Sequence, residues 1–194
     1  MTRQAFDGEL NRISTTDAKN RETTYEHDDA GQLIKQTQPG NVITHYGYGH
    51  HAGCTTCPLT GGGFLGLLTS VKDPKGNVTE YSYDPAGRKT GELDALNGAT
   101  KLTLDSEGNL RFREDPDSKV TSTEYDRVYR PTVIVDPRTG ALTKTYNANG
   151  DSLRDRNANG QVTERAYDSR RRLIRLTVAA ATSAESTTRF EYTG

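Results

Sequence analysis

Phe6-Asp7, His27-Asp28 and Tyr48-Gly49 recur at a constant step of 21, and Tyr83-Asp84, Leu104-Asp105, Tyr125-Asp126, Tyr146-Asn147 and Tyr167-Asp168 keep the same step. A fixed period of this length is the mark of a repeat architecture, in which each repeat is one supersecondary unit stacked on its neighbours. The single longer gap runs from Tyr48 to Tyr83 and equals one period plus a 14-residue insertion. Any fold proposed for this chain must repeat with that period.

A second series, Asp73, Asp94, Asp115, Asp136 and Asn157, has the same spacing and opens turn-like stretches such as Asp73-Pro-Lys-Gly-Asn77 and Asp136-Pro-Arg-Thr-Gly140. Asp17-Ala-Lys-Asn20 and Gln38-Pro-Gly-Asn41 are the earlier members. Each unit therefore has two turns at alternating intervals of 10 and 11 (Asp84 to Asp94, then Asp94 to Asp105), with segments rich in Thr, Val, Tyr and Leu between them. Turn signals at this spacing with β-branched segments between them predict consecutive β-hairpins. Alternation in Val78–Tyr83 predicts Thr79, Tyr81 and Tyr83 on one face, with Val78 on the other beside Ile43, Ala99, Val120, Ala141 and Val162 of the sister repeats.

Composition agrees with a structure that buries little per residue. Only 31% of the residues are hydrophobic, Trp is absent and Gly numbers 19, where a compact globule carries nearer half apolar residues. Charge is balanced, 25 basic against 26 acidic residues, with no basic stripe to neutralise phosphates, which argues against nucleic acid as a partner. No apolar run is long enough for a membrane helix.

The best copy of the unit, Thr69-Ser-Val-Lys-Asp-Pro-Lys-Gly-Asn-Val-Thr-Glu-Tyr-Ser-Tyr-Asp-Pro-Ala-Gly-Arg88, resembles the Rhs/YD-repeat family, which includes Rhs-type polymorphic toxins, Tc-toxin shells and wall-associated repeat proteins. The resemblance runs through essentially all of residues 1–194, interrupted by a Gly/Cys-rich insertion at about 50–65 and a smaller one at about 179–186. Several copies are degenerate: Tyr129 and Arg171 replace the turn Gly, and Pro131 and Ser152 replace the Leu. The fold expected is all-β: tandem antiparallel β-hairpin repeats in that same period, roughly seventeen strands, forming a long curved sheet. What the resemblance implies is an arc of a hollow wall around a toxin or other cargo. The implied partners are the rest of a larger secreted or cell-surface parent and its enclosed toxin domain. Exposed strand edges predict edge-to-edge self-association.

The insertion holds the one local concentration of metal-binding chemistry. His50, His51, Cys54 and Cys57 are a ligand set suited to tetrahedral zinc. A disulfide between the two cysteines, or two free thiols in a Gly-rich loop, are the competing readings. Asp155-x-Asn157-x-Asn159-Gly160 matches the start of a calcium loop, but Ala166 stands where the bidentate Glu is needed, and the segment is in phase with the other turns. Asp136-Pro137 is likewise in phase and reads as a turn. No nucleophile elbow, phosphate loop or dinucleotide fingerprint is present, so the segment reads as non-catalytic and without an obligate cofactor. The tyrosine rows carry a last alternative, a surface for sugars or a receptor, because a ring packs on a pyranose while its hydroxyl hydrogen-bonds; cross-strand stacking competes for the same rings.

Overall fold

A computed structural model describes residues 2–49, 66–179 and 185–192. The chain is all-β, with seventeen strands and no helix among the described residues. Two compact units divide it, residues 1–101 and 102–194, the boundary falling within β9. The first unit holds β1 (Arg3–Phe6), β2 (Arg12–Thr16), β3 (Glu22–His27), β4 (Leu33–Gln38), β5 (Val42–Tyr48), β6 (Leu68–Lys72), β7 (Val78–Tyr83), β8 (Lys89–Leu93) and the start of β9 (Ala99–Leu104). Each pairs antiparallel with the next. The second unit holds β10 (Leu110–Glu114), β11 (Val120–Tyr125), β12 (Pro131–Asp136), β13 (Gly140–Tyr146), β14 (Ser152–Arg156), β15 (Val162–Tyr167), β16 (Leu173–Ala179) and β17 (Ser186–Arg189). These too pair in chain order. The expected strand count and hairpin succession are both present.

One turn builds twelve of the connections. In each, residue i is Asp or Asn, its N–H donates to the carbonyl of i+4, and the N–H of i+3 donates to its carbonyl; Asp84 with Arg88 and Gly87, both at 2.9 Å, is typical. Residue i+3 has positive φ in every case, as Gly (Gly31, Gly76, Gly87, Gly108, Gly150, Gly160), as Asn (Asn20, Asn97) or as the less suited Leu10, Ser118, Tyr129 and Arg171. This is a type I turn closed by a residue in the left-handed region, a favoured way to join antiparallel strands. Two connections differ: the pairs Gln38↔Val42 and Asp136↔Gly140 close three-residue loops, with positive φ at Gly40, Asn41 and Gly140.

The turns that follow the aromatic-acid pair carry a further irregularity. Register slips by one residue at Ala5/Phe6, Glu26/His27, Gly47/Tyr48, Ser82/Tyr83, Glu124/Tyr125, Thr145/Tyr146 and Ala166/Tyr167. On the partner strand one residue is left over, Thr90 between Lys89 and Gly91 for example. A bulge of this kind bends its strand and sharpens the local twist.

Register also fixes a stagger. In the first unit Glu80 faces Leu93, which faces Ala99, so one hairpin carries the ladder from position 80 to position 99. In the second unit Thr123 faces Ile134, which faces Leu142, the same advance from 123 to 142. The sequence equivalents of Glu80 and Thr123 one period on are Lys101 and Lys144, each two places beyond the residue that the ladder reaches. Within each unit, columns of like residues therefore run obliquely across the strands.

No hydrophobic side chain is buried among the described residues, and the most covered side chains are Asp115 and Thr177, 7% and 8% exposed. In β7 the face of Thr79, Tyr81 and Tyr83 is half-buried while Val78, Glu80 and Ser82 are exposed, as the alternation predicts. Stability must come from ladder hydrogen bonds, turn closure and half-buried side chains rather than from a core.

Candidate functional site

Each turn is held by the side chain of its first residue. Oδ1 of Asp84 accepts the N–H of Ala86 and of Arg88, both at 2.9 Å, while Oδ2 accepts Nε of Arg88 at 2.7 Å. The same cage recurs at Asp126 with Arg130, at Asp168 with Arg172 and at Asp17 with Arg21. Asn replaces the Arg at Asn11, Asn77 and Asn109. The cage also works without charge on its first residue: Asn147 Oδ1 accepts the N–H groups of Asn149 and Asp151, and its amide donates to Asp151 Oδ2 at 2.9 Å. The backbone N–H of the fifth residue, then the Arg side chain, hold the carboxyls of Asp84, Asp126 and Asp168 below the usual carboxylate range.

The aromatic ladder has a specific task. Tyr48 donates its hydroxyl to the carbonyl of Leu33 at 3.0 Å, and Tyr83 to that of Leu68 at 2.6 Å. In the second unit Tyr125, Tyr146 and Tyr167 reach the carbonyls of Leu110, Pro131 and Ser152 at 3.0, 2.9 and 3.1 Å. Every one of these acceptors lies 15 residues upstream. Tyr192 reaches Leu173, 19 residues upstream at 2.9 Å, the longer interval absorbing the smaller insertion read from the sequence. Because the acceptor is a backbone oxygen, Pro131 and Ser152 serve as well as Leu. Burial pushes the hydroxyls of Tyr48 and Tyr83 above their ordinary value. His27 holds a ladder position without a hydroxyl, and its Nδ1 is buried with no hydrogen-bond partner among the described residues.

A second column, two residues before the ladder, changes chemistry along the chain. It reads Gln4, Tyr25, Tyr46 and Tyr81 in the first unit and Leu102, Thr123, Lys144 and Arg165 in the second. Arg12 lies over the Tyr25 ring at 4.3 Å and Lys89 over Tyr81 at 4.4 Å. In the second unit Lys144 and Arg165 both approach Asp155, at 3.4 and 2.7 Å. Burial raises the Asp155 carboxyl, and the Arg165 and Ser152 hydrogen bonds with the nearby cations more than reverse it, so the net direction is down.

Asp155 is therefore engaged by two cations, and Asn157 and Gly160 form an ordinary repeat turn, which fits the turn reading over a calcium loop. Asp136 likewise accepts the N–H groups of Arg138 and Thr139 within its turn. His50, His51, Cys54 and Cys57 lie outside the described residues. Among the described residues no group of three His, Cys, Asp or Glu side chains is placed to hold a metal ion, and no helix is long and apolar enough to cross a membrane.

The RHS Repeat family model matches residues 6–43 and 65–100. A comparison with curated proteins gives no match. Among solved structures, the crystal structure of TcdB2-TccC3 superposes with a TM-score of 0.76 at 17% identity, covering 99% of this chain and 11% of that one. The Photorhabdus luminescens Tc holotoxin pore gives 0.65 at 15% identity, covering 100% of this chain and 13% of that one. The chain thus spans about a tenth of the proteins it resembles, and at such identities the likeness is one of fold. Two stretches of the first unit are thus RHS repeats by sequence, and the same turn and tyrosine geometry continues in phase through the second unit to Tyr167.

Proposed function

We propose that the chain is a segment of repeat wall that encloses or presents a toxin or effector domain of a larger secreted protein. The observation that carries this reading is a sheet in which twelve connections share one turn and no hydrophobic side chain is buried among the described residues. Such a sheet is suited to extending a surface wetted on both sides, not to housing a catalytic cleft. The RHS repeats and the fold shared with TcdB2-TccC3 and the Tc holotoxin pore support it. The segment itself is read as non-catalytic and extracytoplasmic. Limited proteolysis of the intact parent protein tests this: its non-repeat remainder should be digested at least ten-fold more slowly than the same part expressed alone. Equal rates would remove the enclosing role.

A second reading, a glycan-binding face, draws on Tyr25 and Tyr81, whose hydroxyls make no hydrogen bond among the described residues. Arg12 and Lys89 already occupy a face of each ring, which weakens it.

A further inference from the structure

Several arginines in this chain are matched to an acid. Arg21, Arg88, Arg130 and Arg172 are held by the Asp of their own turn. Arg138, Arg165 and Arg171 are held by Asp115, Asp155 and Asp151 of neighbouring elements. In the last strands two arginines face each other instead. β16 and β17 pair so that Arg175 stands directly opposite Arg189, and Thr177 opposite Thr187. The row continues through Thr177 to Glu164 and Arg154, placing Arg154 on the same face, with Arg156 two residues further along β14. All four arginines are exposed.

Two acids share this face. Glu164 lies 3.4 Å from Arg154, both about half exposed, and Glu185 accepts the Thr187 hydroxyl at 3.4 Å. Glu191 lies just past the strand. Arg156, Arg175 and Arg189 have no ion-pair partner among the described residues, and residues 180–184 (Ala-Ala-Thr-Ser-Ala) contain no charge. Like charges directly opposite in an antiparallel pair repel, so the Arg175–Arg189 pair works against the fold unless an anion lies between them. Thr177, 8% exposed, sits between the arginine rows and gives the platform a firm centre.

We propose that the exposed face of β14–β17 is a docking surface for an acidic polypeptide segment, anchored by Arg175 and Arg189 and flanked by Arg154 and Arg156. The guanidinium fork matches a carboxylate with two parallel hydrogen bonds, which an ammonium cannot do. All four cations are Arg, none Lys. Arg154 and Arg156, two residues apart on one strand, are separated by about 6.8 Å along it, the spacing of alternate side chains on an extended peptide. A strand-like segment with carboxylates at every second residue fits this pattern.

The test is titration of a labelled (Glu-Thr)5 peptide into the full chain at low salt, with thermal unfolding in parallel. The double variant Arg175→Gln/Arg189→Gln should bind at least ten-fold more weakly and unfold at the same temperature or higher, because a repelling pair is gone. Arg3→Gln, on β1, should bind as the parent does. No binding to the parent chain, or unchanged binding by the double variant, overturns the proposal. So does a lower unfolding temperature, which would make the pair structural. Tighter arginine-dependent binding of a sulfated oligosaccharide of equal charge would overturn it in favour of an anionic glycan.

Discussion

Tyr129 holds the left-handed position of its turn at φ 63° where sister repeats carry Gly87 or Gly108. A non-glycine residue in that region costs about 1–2 kcal/mol. Glycine loses more backbone freedom on folding, about 0.5–1 kcal/mol. The Tyr129 side chain is 56% exposed, so little burial is lost with it. Tyr129→Gly should therefore stabilise the β11–β12 hairpin by about 0.5–1 kcal/mol, a two- to five-fold slowing of local opening. Native-state hydrogen exchange at the Tyr125–Arg130 amides reads this directly, since stability in repeat arrays is largely local. Arg171→Gly supplies the contrast. It relieves the same strain (φ 64°) but gives up the 2.6 Å contact with Asp151, so its gain should be smaller. Faster exchange in Tyr129→Gly, or a larger gain at Arg171, would refute the view that left-handed strain dominates these turns.

Other expectations follow from the same geometry. Tyr125→Phe removes one hydroxyl from a half-buried carbonyl and should cost about 1 kcal/mol, seen as faster exchange around Leu110–Phe112 with a small fall in unfolding temperature. Gly76→Ala, at φ 90° with open space around the added carbon, should cost about 1–2 kcal/mol from backbone strain alone, and an unchanged unfolding temperature would count against the turn assignment. The turn carboxyls of Asp84, Asp126 and Asp168 titrate below their ordinary value, so the stability they supply is present above that value and is lost as pH falls through the depressed ones. Exchange at the Arg88, Arg130 and Arg172 amides should then accelerate in acid before exchange at Gln161, whose turn is held by the neutral Asn157.

The repeat period, the hairpin succession and the role of Asp at the head of each turn were legible from spacing alone, because each depends on residue types that recur in phase. The bulges were not. Their extra residues, Ile13, Ile34, Thr69, Thr90, Thr132, Leu153 and Ile174, are strand-forming types that do not stand out from the rest of the strands; what fixes them is the turn geometry on one side and register on the other. The purpose of the tyrosine ladder was equally hidden. The ladder read as stacked rings, while the structure shows each hydroxyl reaching a backbone carbonyl, an acceptor that every residue carries and no sequence pattern marks. Degenerate positions were easier: Tyr129 and Arg171 stood out for replacing Gly and do adopt positive φ, though Leu10 and Ser118 in the same role did not announce themselves.

The fifteen-residue reach of the tyrosine hydroxyl means that the array keeps no running count. Tyr83 finds Leu68 at the same interval as Tyr125 finds Leu110, although a 14-residue insertion lies upstream of the first pair and not between the two members of either. Phase is set afresh in each hairpin, so a length change at one loop is forgotten by the next repeat. A chain built this way can gain or lose loop segments one at a time, and the loops become the place where sequence is free to vary while the sheet beneath keeps its register.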